Sequence, residues 1–441
     1  MSKKILKPVS LNMPVDENFL PLAAAFVGQA ARGFGLSGDT AEELALAAEE
    51  TIAYITRING SQGQDVTIDC RSGSHFVEAD ICLPVGELQL RAFNMTVTVD
   101  TDDEIGLDQM GLLIASRLAD RFRVSRPPGG RLCLSLVKDR PYPGIDAGTP
   151  LKVPGPLSNV RLLEGPDAAQ IKWFVRLVNQ CYPQTLFPMD FRYPGKIVDM
   201  ADAGDYRLRL LVGPGGEIGG GMAWRWEGAR TVACFGPYSF GDTSDSDMAI
   251  GLVEACIADI ARSPALVLIN RTPTPQLPDG YFETLGSVDT PLADGTVLPL
   301  TAVFRLMHED TGCVVWSHPD LEAFLQGEYR RLVFPREIQP VVAEGESDDA
   351  FSVLSVETDR QLGRATLRPI WPGRDCAANL AAHVVLLEKE GMADIRFEMD
   401  LGVAWHARFT PGLLQLGFRP RLLLPYAGVA DRVIFQRGCD R

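Results

Sequence analysis

The sequence lacks the features that mark several common protein classes. Its 9 cysteines are an odd number and include no Cys-x-x-Cys pair, so neither a zinc ribbon nor a disulfide framework is indicated. No apolar run approaches the ~20 residues that a membrane-spanning helix needs, and no signal peptide follows Lys3 and Lys4. We therefore expect a cytoplasmic protein with buried, reduced thiols and without a metal site.

Basic residues are also fewer than acidic residues. The chain has 42 Lys and Arg against 57 Asp and Glu, a formal net charge of −15. Nucleic acids and anionic membranes attract clustered basic surfaces, so neither is an expected partner. His-x-x-x-His, Gly-x-Ser-x-Gly and Walker patterns do not occur, which leaves metal and hydrolase chemistry without support.

The length predicts several domains. A chain of 441 residues exceeds the ~250–300 residues at which single hydrophobic cores stop growing. The stretch PYPGIDAGTPLKVPGPLS has no hydrophobic period and is typical of a linker. We predict a domain at 1–140, a linker at 141–158, a domain at 159–310 and a last domain at 311–441. Segments 160–308 and 313–437 share a coarse order of strands and helices, which suggests a distant duplication.

The first 140 residues carry helix signals followed by strand signals. Thr40 and Glu43 have the spacing of a capping box, which predicts the start of a helix with apolar residues at helical spacing. Strands are predicted around 66–70 and 76–83, then a helix from Gly111 to about Phe122, then a strand over 131–138. This order predicts an α/β sandwich.

The same segment resembles the GHKL (histidine kinase-like ATPase) domain of bacterial anti-sigma factors. The resemblance rests on ELALAAEETIAYI, GLLIASRLADRFRV and GGRLCLSLVK. It makes Glu50, Gly106 and Gly111 candidate remnants of a nucleotide site, whereas Tyr54 stands where the family has its magnesium-binding Asn, and no Asp for adenine stands near Leu83. The resemblance implies that ATP and magnesium bind weakly or not at all. It also implies a protein partner, either a sigma factor or a STAS-type antagonist.

The next segment resembles the GNAT acetyltransferases through CYPQTLFPMDFRYPGKI and GYFETLGSV. This resemblance makes Tyr182, Tyr193 and Tyr281 candidates for a place near the acceptor. Gly241 and Asp242 occupy the place of the family's coenzyme A loop, in which backbone amides at a helix N-terminus hold the pyrophosphate. Asp242, Asp245 and Asp247 put negative charge there, so acetyl-CoA is expected to bind poorly.

The carboxyl-terminal text FTPGLLQLGFRPRLLLPYAGVADRVIFQ resembles the closing segment of a GNAT-like domain that is fused to anti-sigma-type ATPase domains. Leu416, Gly417 and Phe418 match the family's Leu-Gly-Phe turn, whereas WPGRDCA lacks the pyrophosphate pattern. The expected fold class is therefore α/β, with a GHKL-type α+β sandwich followed by two GNAT-like mixed-sheet domains.

These features favour a regulatory or signalling protein of the partner-switching type, a pseudoenzyme with degenerate ligand sites and no expected cofactor. One alternative is a GNAT-type, acyl-CoA-dependent N-acyltransferase, and a second is an anti-sigma-factor serine kinase. If the protein is an enzyme, acyl transfer is favoured over phosphorylation. The sequence leaves the partner, the acceptor and the oligomeric state open.

Overall fold

A computed structural model describes residues 7–59, 65–83, 90–97, 104–125, 131–145, 150–155, 157, 159–241, 246–292, 295–341 and 349–438, without the side chains of 58, 59, 104–109 and 246. The chain packs as two compact units. The first comprises Met1–Tyr142, Ser347–Val356 and Pro369–His383, and the second comprises Pro143–Glu346, Glu357–Arg368 and Val384–Arg441. The domain boundaries predicted from the sequence stay predictions.

The amino-terminal part of the first unit is a sandwich of one sheet and three helices. The sheet has the strand order β1-β2-β3-β5-β4 with antiparallel pairs throughout. The elements in chain order are β1 (Val9–Pro14), α1 (Leu20–Gly33), α2 (Gly38–Asn59), β2 (Asp65–Ser72), β3 (Phe76–Leu83), α3 (Glu104–Leu118), β4 (Arg121–Ser125) and β5 (Leu132–Asp139).

Alternating side chains place the core on one face of this sheet. In β3, Val77, Ala79 and Ile81 are fully buried and join a core with residues of α1 and α2. One prediction was wrong here. The helix predicted from Gly111 to Phe122 begins earlier, at Glu104, and ends at Leu118. Phe122 instead belongs to β4, because the alternating segment RFRVS pairs with β5.

The middle of the chain forms a seven-stranded sheet with the order β11-β12-β10-β9-β8-β7-β6. Helices α4 and α5 pack on one face, and α6 packs on the other. The elements are β6 (Arg161–Glu164), α4 (Ala168–Cys181), α5 (Pro194–Ala203), β7 (Arg207–Val212), β8 (Ile218–Trp226), β9 (Thr231–Ser239), α6 (Ser246–Ile260), β10 (Val267–Asn270), β11 (Glu283–Pro291) and β12 (Val297–Leu306).

The last part of the chain contains a parallel strand pair, a helix and a five-stranded sheet with the order β15-β16-β17-β19-β18. The elements are β13 (Cys313–Ser317), α7 (Pro319–Leu332), β14 (Arg336–Pro340), β15 (Val353–Asp359), β16 (Arg364–Trp371), α8 (Cys376–Lys389), β17 (Asp394–Asp400), α9 (Thr410–Gln415), β18 (Phe418–Leu424) and β19 (Arg432–Arg437).

The two carboxyl-terminal sheets share one connectivity. The order β15-β16-β17-β19-β18 repeats the order β8-β9-β10-β12-β11. In each sheet, the second and third strands are parallel and enclose a helix in sequence, α6 in one case and α8 in the other. This shared order agrees with the duplication suggested by the sequence.

The predicted α/β fold class is confirmed, since the described residues form helices, mixed and antiparallel sheets and one parallel strand pair. Among the described residues, none of the helices is both long enough and apolar enough to cross a lipid bilayer.

Candidate functional site

The candidate site lies where β9 and β10 diverge. These parallel strands pair only over Thr231–Ala233 and Val267–Ile269, and β9 then runs on to Ser239. Ligands of α/β sheets commonly bind outside the carboxyl ends of parallel strands. The edge of β9 beyond Ala233 also presents backbone groups that need hydrogen-bond partners. We call this region, from Ala233 to Ser239 and across to the end of β10, the β9–β10 fork.

Side chains at and just after the end of β10 supply part of those partners. The amide of Asn270 donates to the carbonyl oxygen of Gly236 at 2.8 Å, and its oxygen accepts from the backbone nitrogen of Thr272 at 3.1 Å. The hydroxyl of Thr274 donates to the carbonyl oxygen of Pro237 at 2.5 Å. Asn270 and Thr274 are both buried, so the fork is crossed by polar side chains of the chain itself.

Tyr182 supplies partners for the last residue of β9, Ser239. It caps the carboxyl end of α4, and its hydroxyl accepts from the backbone nitrogen of Ser239 at 2.8 Å and donates to the carbonyl oxygen of Ser239 at 3.0 Å. Its ring packs edge-on against Tyr238, with ring centroids 5.0 Å apart. Desolvation raises the pKa of Tyr182. This arrangement gives Tyr182 a structural role, because its hydroxyl is engaged with the backbone and is held in its neutral form.

The three tyrosines predicted near an acceptor have different partners. Tyr193 precedes α5 and is 38 % exposed. Tyr281 donates its hydroxyl to the carboxylate of Glu254 on α6 at 2.7 Å, and this hydrogen bond raises its pKa. Among the described contacts of these three tyrosines, those of Tyr182 are the ones that reach the fork.

The amino-terminal end of α6 is the predicted place of a coenzyme A loop. Gly241 has a left-handed backbone with φ of +79°, and a Cβ placed on it would lie 2.3 Å from the carbonyl oxygen of Pro154. Asp242 and Asp245 lie outside the described residues. Asp247 is an exposed residue in the first turn of α6, where the helix dipole favours an acid.

Part of the predicted linker packs beside this loop. Gln180 on α4 accepts from the backbone nitrogen of Leu151 at 2.7 Å and donates to its carbonyl oxygen at 2.9 Å. Leu151 and Val153 pack against the core formed with α4 and α5. The segment that reaches Gly241 through Pro154 is therefore anchored on the second unit.

The corresponding divergence of β16 and β17 is closed by charged groups. The strands pair over Arg364–Leu367 and Asp394–Phe397. Just beyond, the buried carboxylate of Glu398 lies 2.8 Å from Arg368, 3.2 Å from Arg432 and 3.5 Å from Arg271. Burial alone would raise the pKa of Glu398, but the three guanidinium groups lower it well below its usual range.

The start of α8 is covered by the segment before β15. A Cβ on Gly373 would lie 2.1 Å from the backbone nitrogen of Ser352, and that nitrogen donates to the carboxylate of Asp375 at 2.5 Å. Asn379 bonds to the carbonyl oxygen of Ser352 at 3.0 Å and to Asn94 at 3.1 Å. The segment around Ser352 therefore packs against the start of this helix and occupies the carboxylate of Asp375.

The predicted nucleotide remnants meet where α2 faces α3. A Cβ on Gly111 would lie 2.6 Å from a carboxylate oxygen of Glu50 and 3.3 Å from its carbonyl oxygen. Tyr54, one turn further along α2, is 2 % exposed. Gly106 lies in the first turn of α3. The structure thus brings Glu50 and Gly111 together in a close helix contact.

Several buried groups were missed or misjudged from the sequence. Cys82 and Cys133 form a disulfide, so the prediction of reduced thiols was wrong for this pair. Asn270 and Thr274 stand in the text INRTPTP, where Asn and Thr after a strand are a signal for local backbone hydrogen bonds. Within the described parts of the chain, groups of three or more His, Cys, Asp or Glu side chains suited to a metal ion do not occur.

Comparisons with known proteins concern only part of the chain. No protein-family model and no curated protein matches it. About a third of the chain is similar to three solved structures. A protein of Acinetobacter baylyi ADP1 described as an acetyltransferase is 16% identical, with 34% of this chain and 97% of that chain covered and a TM-score of 0.28. A phosphinothricin acetyltransferase of the GNAT superfamily from Sinorhizobium meliloti, solved with AcCoA, is 12% identical. The match covers 35% of this chain and 91% of that chain, with a TM-score of 0.29.

The third structure, described as a GNAT-family acetyltransferase of Desulfovibrio desulfuricans, is 12% identical, with 34% of this chain and 99% of that chain covered and a TM-score of 0.26. The function proposed below rests on the contacts of this chain and not on these similarities.

Proposed function

We propose that the protein is a regulatory binding protein whose acyltransferase-like part does not use acyl-CoA. The observation that carries the proposal is the closed β9–β10 fork. Tyr182, Asn270 and Thr274 bond to the backbone of Gly236, Pro237 and Ser239. A thioester cofactor would have to displace these bonds, and each buried group left without a partner would cost about 1–3 kcal/mol.

The first unit supports the same proposal through a separate contact, the one between α2 and α3. A metal-bound nucleotide phosphate needs room beside its helix, and the contact between Gly111 and the carboxylate of Glu50 leaves little. The net charge of −15 does not favour a polyanionic partner. A protein partner of the partner-switching type, as the sequence resemblance implies, is the proposed ligand.

One observation favours the alternative, an N-acyltransferase. The seven-stranded sheet retains a parallel pair that diverges beside a helix, β9 and β10 with α6, and such a crevice is a common ligand site. In that case the aspartates near α6 would only weaken the binding of a diphosphate, and the fork would open when the cofactor enters.

Calorimetric titration of the full chain with acetyl-CoA separates the two functions. The closed fork predicts no dissociation constant tighter than about 1 mM, which corresponds to ~4 kcal/mol. Replacing Asp242, Asp245 and Asp247 by Asn should leave that result unchanged, because charge does not matter where the ligand cannot enter. A control with three charges removed in the first unit, at Asp39, Glu42 and Glu49, tests for a general charge effect.

Micromolar binding by the wild-type protein, with acetyl transfer to an amine, would refute the proposal. A roughly tenfold gain in affinity from the three Asn substitutions alone would show an open site opposed by charge, which also contradicts a closed fork. A positive test is saturable binding of an isolated protein partner to the purified full chain, with the partner's acetylation unchanged.

A further inference from the structure

Cys82 and Cys133 occupy opposite positions on neighbouring strands of the first unit. They are register partners of β3 and β5, and their sulfur atoms are bonded to each other. We propose that this pair is a reversible thiol–disulfide site that exchanges with a low-molecular-weight thiol of the glutathione class. The inference does not depend on the proposed function, since it concerns a separate face of the first unit.

The pair lies on the face of the sheet that points away from the helices, and of its two residues Cys82 is the more exposed. Ile81, Leu83, Leu132 and Leu134 point to the core that contains the helices, so the intervening Cys82 and Cys133 point to the opposite face. That face carries polar side chains, among them Asp80 and Ser135. Cys82 is partly exposed and Cys133 is 9 % exposed. An external thiolate therefore reaches the sulfur of Cys82 more easily than that of Cys133.

The register of β3 against β5 does not rest on the bond alone. Eight residue pairs, from Phe76–Asp139 to Leu83–Leu132, set the register of β3 against β5. The apolar side chains of both strands are buried on the other face. The two cysteines therefore stay opposite each other after reduction, which allows the bond to form again. This property distinguishes a reversible site from a bond that is required for folding.

Cys70 and Cys181 differ from this pair in their surroundings. The guanidinium of Arg131 donates to the carbonyl oxygen of Cys82 at 3.1 Å, and the carboxylate of Asp80 lies on the same face two residues away. Cys70 is buried, and burial raises its pKa to about 12. Cys181 is exposed, although desolvation raises its pKa, and it is the natural internal control.

The exchange needs two equivalents of the external thiol. A glutathione thiolate attacks the sulfur of Cys82, a mixed disulfide forms, and Cys133 leaves as a thiolate that takes up a proton. A second glutathione thiolate attacks the glutathione sulfur of the mixed disulfide and releases the Cys82 thiolate. Glutathione disulfide is formed, and two electrons pass to the protein. The reverse sequence, with glutathione disulfide as the oxidant, restores the bond.

Thiol mapping of the native full chain tests the proposal. Protein oxidised with glutathione disulfide is treated with reduced glutathione, alkylated without denaturant and digested for mass spectrometry. We expect a gain of two thiols per chain, located at Cys82 and Cys133, and a glutathione adduct on Cys82 at low glutathione concentration. Labelling of the reduced Cys82 should be about tenfold faster than that of Cys181.

Two controls keep the result interpretable. Near-ultraviolet circular dichroism of the reduced wild-type protein should match that of the oxidised protein, and a Cys82→Ser, Cys133→Ser variant should gain no thiols. If that variant fails to fold, the spectrum of the reduced wild type decides the matter. The proposal is overturned if the two thiols appear only in denaturant, if reduction unfolds the first unit, or if glutathione disulfide does not restore the bond.

Discussion

The hydroxyl of Tyr182 bonds to both backbone groups of Ser239, accepting from its nitrogen at 2.8 Å and donating to its carbonyl oxygen at 3.0 Å. Ser239 is the last residue of β9. On the side of β10, the described strands do not pair with β9 beyond Ala233. The Tyr182 side chain therefore binds the backbone groups at the unpaired end of this edge. A residue predicted as a catalytic candidate thus helps to close the β9–β10 fork.

Removing this hydroxyl should destabilise the second unit. Tyr182→Phe keeps the ring but leaves the amide and carbonyl of Ser239 without their partner, at a cost of about 1–3 kcal/mol. Tyr193→Phe is the matched control, because Tyr193 is 38 % exposed, and it should cost less than about 0.5 kcal/mol. Urea denaturation of both variants measures the difference. Equal stability of the two variants would contradict a structural role for Tyr182.

Gly241 should be needed for the close packing of the linker at Pro154. Gly241→Ala adds a Cβ 2.3 Å from the carbonyl oxygen of Pro154, whereas Gly165→Ala meets no atom within 4 Å. Both glycines have a positive φ, +79° and +69°, so both variants carry similar backbone strain. Limited proteolysis should cut within 143–158 faster in Gly241→Ala than in Gly165→Ala. Identical cleavage rates would show that the linker contact is unimportant.

His406 should make the protein sensitive to mild acid. Burial lowers its pKa from 6.5 to about 4, and its ring nitrogen accepts from the backbone nitrogen of Asp400 at 3.3 Å, which requires an unprotonated ring. The unfolded chain therefore binds this proton first, and stability falls as the pH drops from about 6.5 towards 4, by up to ~3 kcal/mol.

Thermal unfolding of the wild type and of His406→Gln across this range measures the effect. Burial lowers the pKa of His383 as well, and it contributes a slope of the same sign to both proteins. The wild type should lose more stability than the variant between pH 6.5 and 4. Parallel curves would exclude His406 as a source of the acid sensitivity.

Glu50 and Gly111 should be energetically coupled. Gly111→Ala places a Cβ 2.6 Å from the Glu50 carboxylate and 3.3 Å from its carbonyl oxygen. In a Glu50→Ala background the first of these contacts is absent, and the helix propensity of Ala then favours the substitution by up to ~1 kcal/mol. A double-mutant cycle should give a coupling of about 0.5–1.5 kcal/mol. Additive effects would mean that α2 and α3 separate at this point.

The periodic elements of the fold could be predicted from the sequence, whereas the closure of the fork could not. The alternating pattern over 131–138 predicted a strand, and the structure has β5 at Leu132–Asp139. The start of α3 was predicted at Gly111 because a glycine was interpreted as a helix boundary. In the structure this glycine lies in the interior of the helix. The partners of Tyr182 and Asn270 depend on how separate segments meet, and hydrophobic spacing carries no information about that.

The same distinction explains why the disulfide between Cys82 and Cys133 was not predicted. Cys82 and Cys133 are 51 residues apart in sequence, and only the register of β3 against β5 brings them together. The register follows from the alternation of buried residues on both strands, which the sequence does display. The pairing of these two strands with each other, in contrast, is a property of the tertiary fold.

Hydrogen exchange at the backbone amide of Ser239, measured on the full chain with and without 1 mM acetyl-CoA, tests the closed fork most directly. The hydrogen bond to Tyr182 predicts a protected amide whose exchange rate acetyl-CoA does not change, and fast exchange in Tyr182→Phe. An unprotected amide in the wild type, or protection that develops only when acetyl-CoA is added, would contradict the account and would favour an acyltransferase.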